Sequence, residues 1–266
     1  MTERLRTGDI TTHAARLGEW SGDGRPLVVF VHGLLTDSLA SYYFTLGPAF
    51  ATAGMDVLMY DLRGHGRSSR PATGYRLEDF VTDLAELLDA LGETRPAHVV
   101  GNSFGGTVAT AFSAWHPTRV ATVTMIESEP PVAAWTGHMA EGLADAKTRL
   151  ARAEAFGWIT ANYGAHTARL STVARKIFES TSLASDVPAS RVIDDDLSAL
   201  TRPLLAIFGD ESGLAEQVPA LSAKVTHCRT VVLPDQGHSV LVERPVETRD
   251  LILAWIHEHA LAEATT

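Results

Sequence analysis

The chain has 266 residues, 45% of them hydrophobic and 20% charged, with a mean hydropathy of +0.03. Those values fit one globular unit large enough to bury a full core and carry a sizeable insertion. A net charge of −10 argues against nucleic acid and anionic membrane surfaces as partners, because both call for a basic face.

Taken in chain order, the start (Met1-Thr2-Glu3-Arg4-Leu5-Arg6) lacks the apolar run of a signal peptide. No stretch approaches the roughly 20 apolar residues a membrane helix requires, so a cytoplasmic location is the expectation. From about Leu5 to Trp20 the sequence is polar and suits edge strands. Six short apolar runs then follow: Leu27–Val31, Met55–Tyr60, Ala97–Gly101, Val120–Ile126, Leu204–Phe208 and Thr230–Leu233. Each is nearly continuous in apolar residues, as expected where helices cover both faces of a sheet. Between them, Leu77, Phe80, Val81, Leu84, Leu87, Leu88 and Leu91 recur at helical spacing, and Gly92 stops that helix. Pro245 suits the first turn of a C-terminal helix carrying Leu251, Ile252, Trp255 and Ile256.

This alternation predicts an α/β fold with a mostly parallel central sheet and helices on both faces. It breaks between about Pro130 and Arg202, where Ala, Arg, Glu and Leu dominate. A helical cap over residues 131–202 is expected there, inserted between core segments 1–130 and 203–266. Gly137, Gly157, Gly164 and Pro188 are expected to interrupt it. Asp194-Asp195-Asp196 reads as a turn or helix start rather than a metal site. Cys228, the single cysteine, leaves no intramolecular disulfide or multi-cysteine metal site and is expected as a buried, inert thiol in a strand.

The chemistry concentrates at Val99-Val100-Gly101-Asn102-Ser103-Phe104-Gly105-Gly106, which joins a strand to a helical run from Thr107 to Trp115. A serine hydroxyl is a weak nucleophile unless it is exposed, oriented and set beside a base. A sharp strand-to-helix turn exposes and orients it, and the flanking Gly101 and Gly105 relieve the crowding such a turn creates. Acyl transfer also needs two converging N–H donors for the oxyanion. Phe104, directly after Ser103, and Leu34, in the His32-Gly33-Leu34 segment after the first apolar run, are placed to supply them. A third segment, Tyr60-Asp61-Leu62-Arg63-Gly64-His65-Gly66-Arg67-Ser68, forms a glycine-marked tight loop after a strand. Structural roles are expected for His32 and His65.

Along the chain, His32-Gly33, the Asp61–Ser68 loop and Gly101–Gly106 follow in an order and spacing that resemble those of the α/β-hydrolases, and the resemblance covers essentially the whole chain outside the cap. It implies a catalytic base near the C-terminus in a Gly-His segment, here Gly237-His238. In most of the family the acid is an aspartate three residues after the glycine that ends the strand following the cap. Here that position is Ser212, with Asp210 and Glu211 nearby but out of register. Haloalkane dehalogenases, a branch of the same fold, carry a glutamate at the end of the preceding strand in a similar Met-Glu context, which points to Glu127. Asp210, Glu211 and Glu129 remain alternative acids.

The resemblance implies a serine hydrolase acting through an acyl-enzyme on Ser103, with no cofactor and a small-molecule substrate. Trp135, Met139 and Trp158, with Phe156, Tyr163 and Phe178, are candidates for an apolar pocket in the cap, although simple packing explains such spacing as well. An ester or thioester of a small to medium hydrophobic substrate is the expectation. Three alternatives stay open. Gly-Asn-Ser-Phe-Gly-Gly is similar to the motif of C–C bond hydrolases that act on ring-cleavage diketones. Cofactor-free perhydrolase or haloperoxidase chemistry uses the same scaffold, and so does a non-catalytic ligand-binding protein. Oligomeric state is not legible in one sequence.

Overall fold

In the computed structural model, which describes residues 2–20, 24–152 and 154–263, the polar start pairs as a hairpin, β1 (Thr2–Thr7) with β2 (Ile10–Leu17). The apolar run β3 (Leu27–Val31) leads through short helices α1 (Ala40–Tyr43) and α2 (Gly47–Thr52) to β4 (Asp56–Tyr60). Helix α3 (Leu77–Ala90), β5 (Ala97–Asn102), α4 (Phe104–Trp115) and β6 (Val120–Ile126) continue the alternation. Three helices then intervene, α5 (Ala133–Leu150), α6 (Ala155–Ser180) and α7 (Leu183–Asp186). The chain returns through β7 (Leu204–Gly209), α8 (Val218–Lys224), β8 (Cys228–Leu233), α9 (Val240–Glu243) and α10 (Pro245–Glu263).

The eight strands form one sheet in the order β1-β2-β4-β3-β5-β6-β7-β8. Pairing is antiparallel for β1 with β2 and for β2 with β4, and parallel elsewhere. Because strand side chains alternate, β3 feeds two cores. Val29 and Val31 pack with Leu84, Val108 and Phe112 of α3 and α4 on one face. Val28 and Phe30 pack with Phe50 of α2 and Ile252 and Ile256 of α10 on the other. The α/β architecture expected from the alternation is the one observed. Among the described residues, no helix is long and apolar enough to cross a membrane.

Two local expectations need correction, and a third, the aspartate turn, holds. Gly137 and Gly157 lie inside α5 and α6, because nothing opposes a helix there once its neighbours are good helix formers. The kink is at Gly164, which takes φ 83° and ψ 166°. Cys228 is half-buried rather than buried, because β8 is the last strand of the sheet and only Leu233 of it is buried. Partial burial still pushes its thiol up to about 11. Asp195 and Asp196 lie in a turn, where they accept the N–H groups of Ala133 and Ser198.

Candidate active site

The carboxyl ends of the parallel strands converge on one region, the usual ligand crevice of such sheets. Ser103 sits in the turn from β5 to α4 at φ 53° and ψ −127°, and its N–H donates to Ile126 O at 2.8 Å. Only glycine fits on either side. A Cβ at Gly101 would lie 2.1 Å from Gly105 O, and one at Gly105 would lie 2.1 Å from Val31 O. Leu35 (φ 68°) and Glu127 (φ 48°) are also left-handed, so three strained residues surround the region, each costing about 1–3 kcal/mol.

Ser103 Oγ lies 3.2 Å from His238 Nε2. His238 Nδ1 lies 3.1 Å from Glu127 Oε2. The Glu127 side chain is fully buried while that of His238 is 54% exposed. Gly209 N–H donates to Glu127 Oε1, and Glu127 N–H donates to Ile207 O at 2.9 Å. The carboxylate is thus gripped between β6 and β7 with one oxygen left for the imidazole. The alternative acids lie elsewhere. Asp210 is exposed and accepts the Gln236 N–H at 3.3 Å, and Glu211 is exposed. Glu129 accepts from His138 Nδ1 at 2.9 Å. Ser212 accepts the N–H of Leu214.

Above Ser103, Leu34 N–H has no acceptor within the chain among the described residues. The Phe104 N–H opens α4, where the first four N–H groups lack intrahelical acceptors. The loop bearing Leu34 is braced at several points. Gly33 N–H donates to Asp37 Oδ2 at 2.7 Å, and Asp37 also accepts the Ser38 N–H and the Ser41 hydroxyl. Leu35 N–H donates to His65 Nε2 at 2.7 Å, and Leu62 N–H donates to His32 Nε2 at 3.0 Å. Each loop therefore carries a histidine that holds the other loop's backbone. His65 donates Nδ1–H to Arg63 O at 2.9 Å, so its tautomer is fixed. Burial, with His32 beside it, holds its pKa down at about 3, which keeps Nε2 free to accept.

A cavity of about 440 Å³ opens at Ser103 and His238, walled on its apolar side by Trp135, Met139, Leu143 and Leu214. Trp135, His138, Met139 and Leu143 follow helical spacing along α5, so one face of that helix lines the cavity. Trp135 is 1% exposed and lies over Phe104 with ring centroids 6.4 Å apart. The expected wall residue Trp158 is not there. It is 59% exposed and packs on Tyr163, itself 63% exposed. Helix α6 before its kink buries no face, so aromatic residues there meet solvent. Phe156 lies under the Arg175 guanidinium, and Phe178 belongs to the core. The structural roles expected for His32 and His65 are the ones observed, although their crossed pairing is not legible in the sequence. Sequence reasoning missed the Asp37 brace and the Glu129–His138 pair; an aspartate four residues after Gly33 is a signal for the first.

Comparison with known proteins bears on the fold. A family model described as alpha/beta hydrolase fold matches residues 26–195. The non-heme chloroperoxidase of Streptomyces lividans is 36% identical over 112 residues, 41% of this chain and 39% of that protein. The dihydrolipoyllysine-residue acetyltransferase component of the acetoin cleaving system of Pseudomonas putida is 29% identical over 251 residues, 91% of this chain and 66% of that protein. The chain thus spans less than two thirds of either relative. The enol-lactonase from Burkholderia xenovorans LB400 superposes with a TM-score of 0.73 at 23% identity, covering 96% of this chain and 100% of that one, which shows a shared fold. With a family match over 26–195, which holds four of the eight strands and the serine turn, the chain belongs to the α/β-hydrolase fold family.

Proposed function

We propose that this protein is a serine hydrolase that cleaves a carboxylic ester or thioester of a small to medium hydrophobic acyl group, with residues 131–202 acting as its cap. The observation that carries the reading is the unbroken row of hydrogen-bonded atoms from Ser103 Oγ through His238 to Glu127, beside two N–H groups with no competing acceptor. Ser103 Oγ attacks the acyl carbon while His238 Nε2 takes its proton. The oxyanion accepts from Leu34 and Phe104 N–H, at the positive end of α4. Collapse of the intermediate breaks the bond to the alcohol or thiol, which leaves with the proton from His238. Water then attacks the acyl-enzyme, again losing its proton to His238, and the carboxylic acid departs. Glu127 accepts Nδ1–H throughout and stabilises the imidazolium. The apolar wall of Trp135, Met139, Leu143 and Leu214 suits the acyl chain.

The test is covalent labelling with a fluorophosphonate and peptide mapping of the adduct. One adduct on Ser103, absent from Ser103→Ala and lost on denaturation, is the expected result. No adduct on folded protein would sink the reading. The likeness to a chloroperoxidase favours one second reading. Hydrogen peroxide in place of water would convert an acetyl-enzyme to peracetic acid and free Ser103. Peracetic acid oxidises bromide to hypobromous acid, so bromination of monochlorodimedone in acetate, peroxide and bromide, lost in Ser103→Ala, is its signature.

A further inference from the structure

The segment after β6 carries two carboxylates, and each meets a histidine that faces the same cavity. Glu127 meets His238. Glu129, two residues on, meets His138 on α5 at 2.9 Å, and the proposed reaction has no use for that second pair. It is not a loose surface contact. Thr107 Oγ1 donates to Glu129 O at 2.8 Å, and Gln217 Nε2 donates to Ser128 O at 2.9 Å, so the backbone beneath Glu129 is held from two sides. The Glu129 side chain is 23% exposed, whereas His138 is 60% exposed and reaches the open space. Both line the cavity with Ser103 and His238, and no lysine or arginine does so among the described residues.

We propose that the Glu129–His138 pair is a specificity element that recognises a hydrogen-bond-donating group, an amide N–H or a hydroxyl, on the substrate. With Nδ1–H given to Glu129, the ring in its neutral form offers Nε2 as an acceptor, and Glu129 Oε2 offers a second. Two acceptors and no fixed cation disfavour a carboxylate or phosphate at this place and favour a donor. The apolar wall lies along the same helix face, one residue and one turn away at Met139 and Trp135. The substrate class is therefore an uncharged ester with an apolar body and one polar donor, rather than a plain fatty ester. This inference rests on the serine hydrolase reading above.

The test uses two p-nitrophenyl esters that differ by one group, N-acetylglycinate with an N–H and levulinate with a CH2 in its place. The ratio of their kcat/KM values is measured for the wild-type protein, His138→Leu and His138→Gln, so that intrinsic ester reactivity cancels between proteins. The expected result is an amide-over-ketone ratio about tenfold lower in His138→Leu. Part of the preference should return in His138→Gln, which restores an acceptor. An unchanged ratio in His138→Leu overturns the inference and leaves the Ser103 reading standing. Neither ester cleaved, and no fluorophosphonate adduct on wild-type Ser103, overturns that reading and this inference with it.

Discussion

Replacing Glu127 with glutamine changes one atom's chemistry and almost none of the packing. Gly209 N–H still needs an acceptor, so the amide oxygen turns to it and the NH2 group faces His238 Nδ1. The imidazole must then accept at Nδ1 and carry its proton at Nε2, the wrong tautomer for taking a proton from Ser103. Ester turnover in Glu127→Gln should fall by roughly 10³–10⁴ with the fold retained, as read by kcat beside a circular-dichroism melt. Asp210→Asn, exposed and turned to Gln236, should stay near wild type, and the opposite pattern would move the acid to Asp210. Ser103 and its glycines are legible because the constraint is local, a turn within a few residues. Glu127 is reachable only through family resemblance, since its contact spans 111 positions and two neighbouring strands. The Glu129–His138 pair and the misplaced Trp158 share one cause. Helical spacing fixes which residues share a face, but not which face a distant chain segment will cover.

At the level of elements, the loop after β4 is tied to α3 by a buried fork. Arg63 Nε and Nη2 each reach an Asp83 oxygen at 2.6 Å, with both side chains no more than 5% exposed. Asp83→Leu alone removes the buried carboxylate and leaves the guanidinium only Gly74 O and, at 3.6 Å, Asp9; it should cost about 3–5 kcal/mol in urea unfolding, whereas Arg63→Met with Asp83→Leu should recover most of it. Additive losses would show instead that the two act independently. The same loop carries His65, whose ring holds Leu35, so the single variant should also slow ester turnover by letting Leu34 drift. Strands and amphipathic α3 are plain in the sequence because burial on both faces, or on one, imposes its own periodicity. This buried fork is not, because Arg63 and Asp83 are 20 residues apart and neither sits in a pattern that calls for the other.

For the molecule as a whole, buried neutral histidines set a limit on acid tolerance. Burial, then His32, holds His65 at about 3, and burial, then His259, holds His98 at about 4, both below the ordinary 6.5. The unfolded chain binds these protons below about 6.5 while the folded chain refuses them, so stability is full above that pH and drains as the pH falls toward 4. Each site adds a slope of about 1.4 kcal/mol per pH unit in that window. Urea midpoints should therefore drop between pH 7 and pH 5, and His98→Gln should flatten the slope. A pH-independent midpoint would refute this.

Two small contacts have a wider bearing. Ile193 N–H donates to Pro131 O at 2.8 Å and Ala133 N–H to Asp195 at 3.1 Å, so the two ends of the long excursion between β6 and β7 are tied to each other. Closing a loop costs only logarithmically more as the loop lengthens. An excursion closed at its base can change length without re-registering a strand.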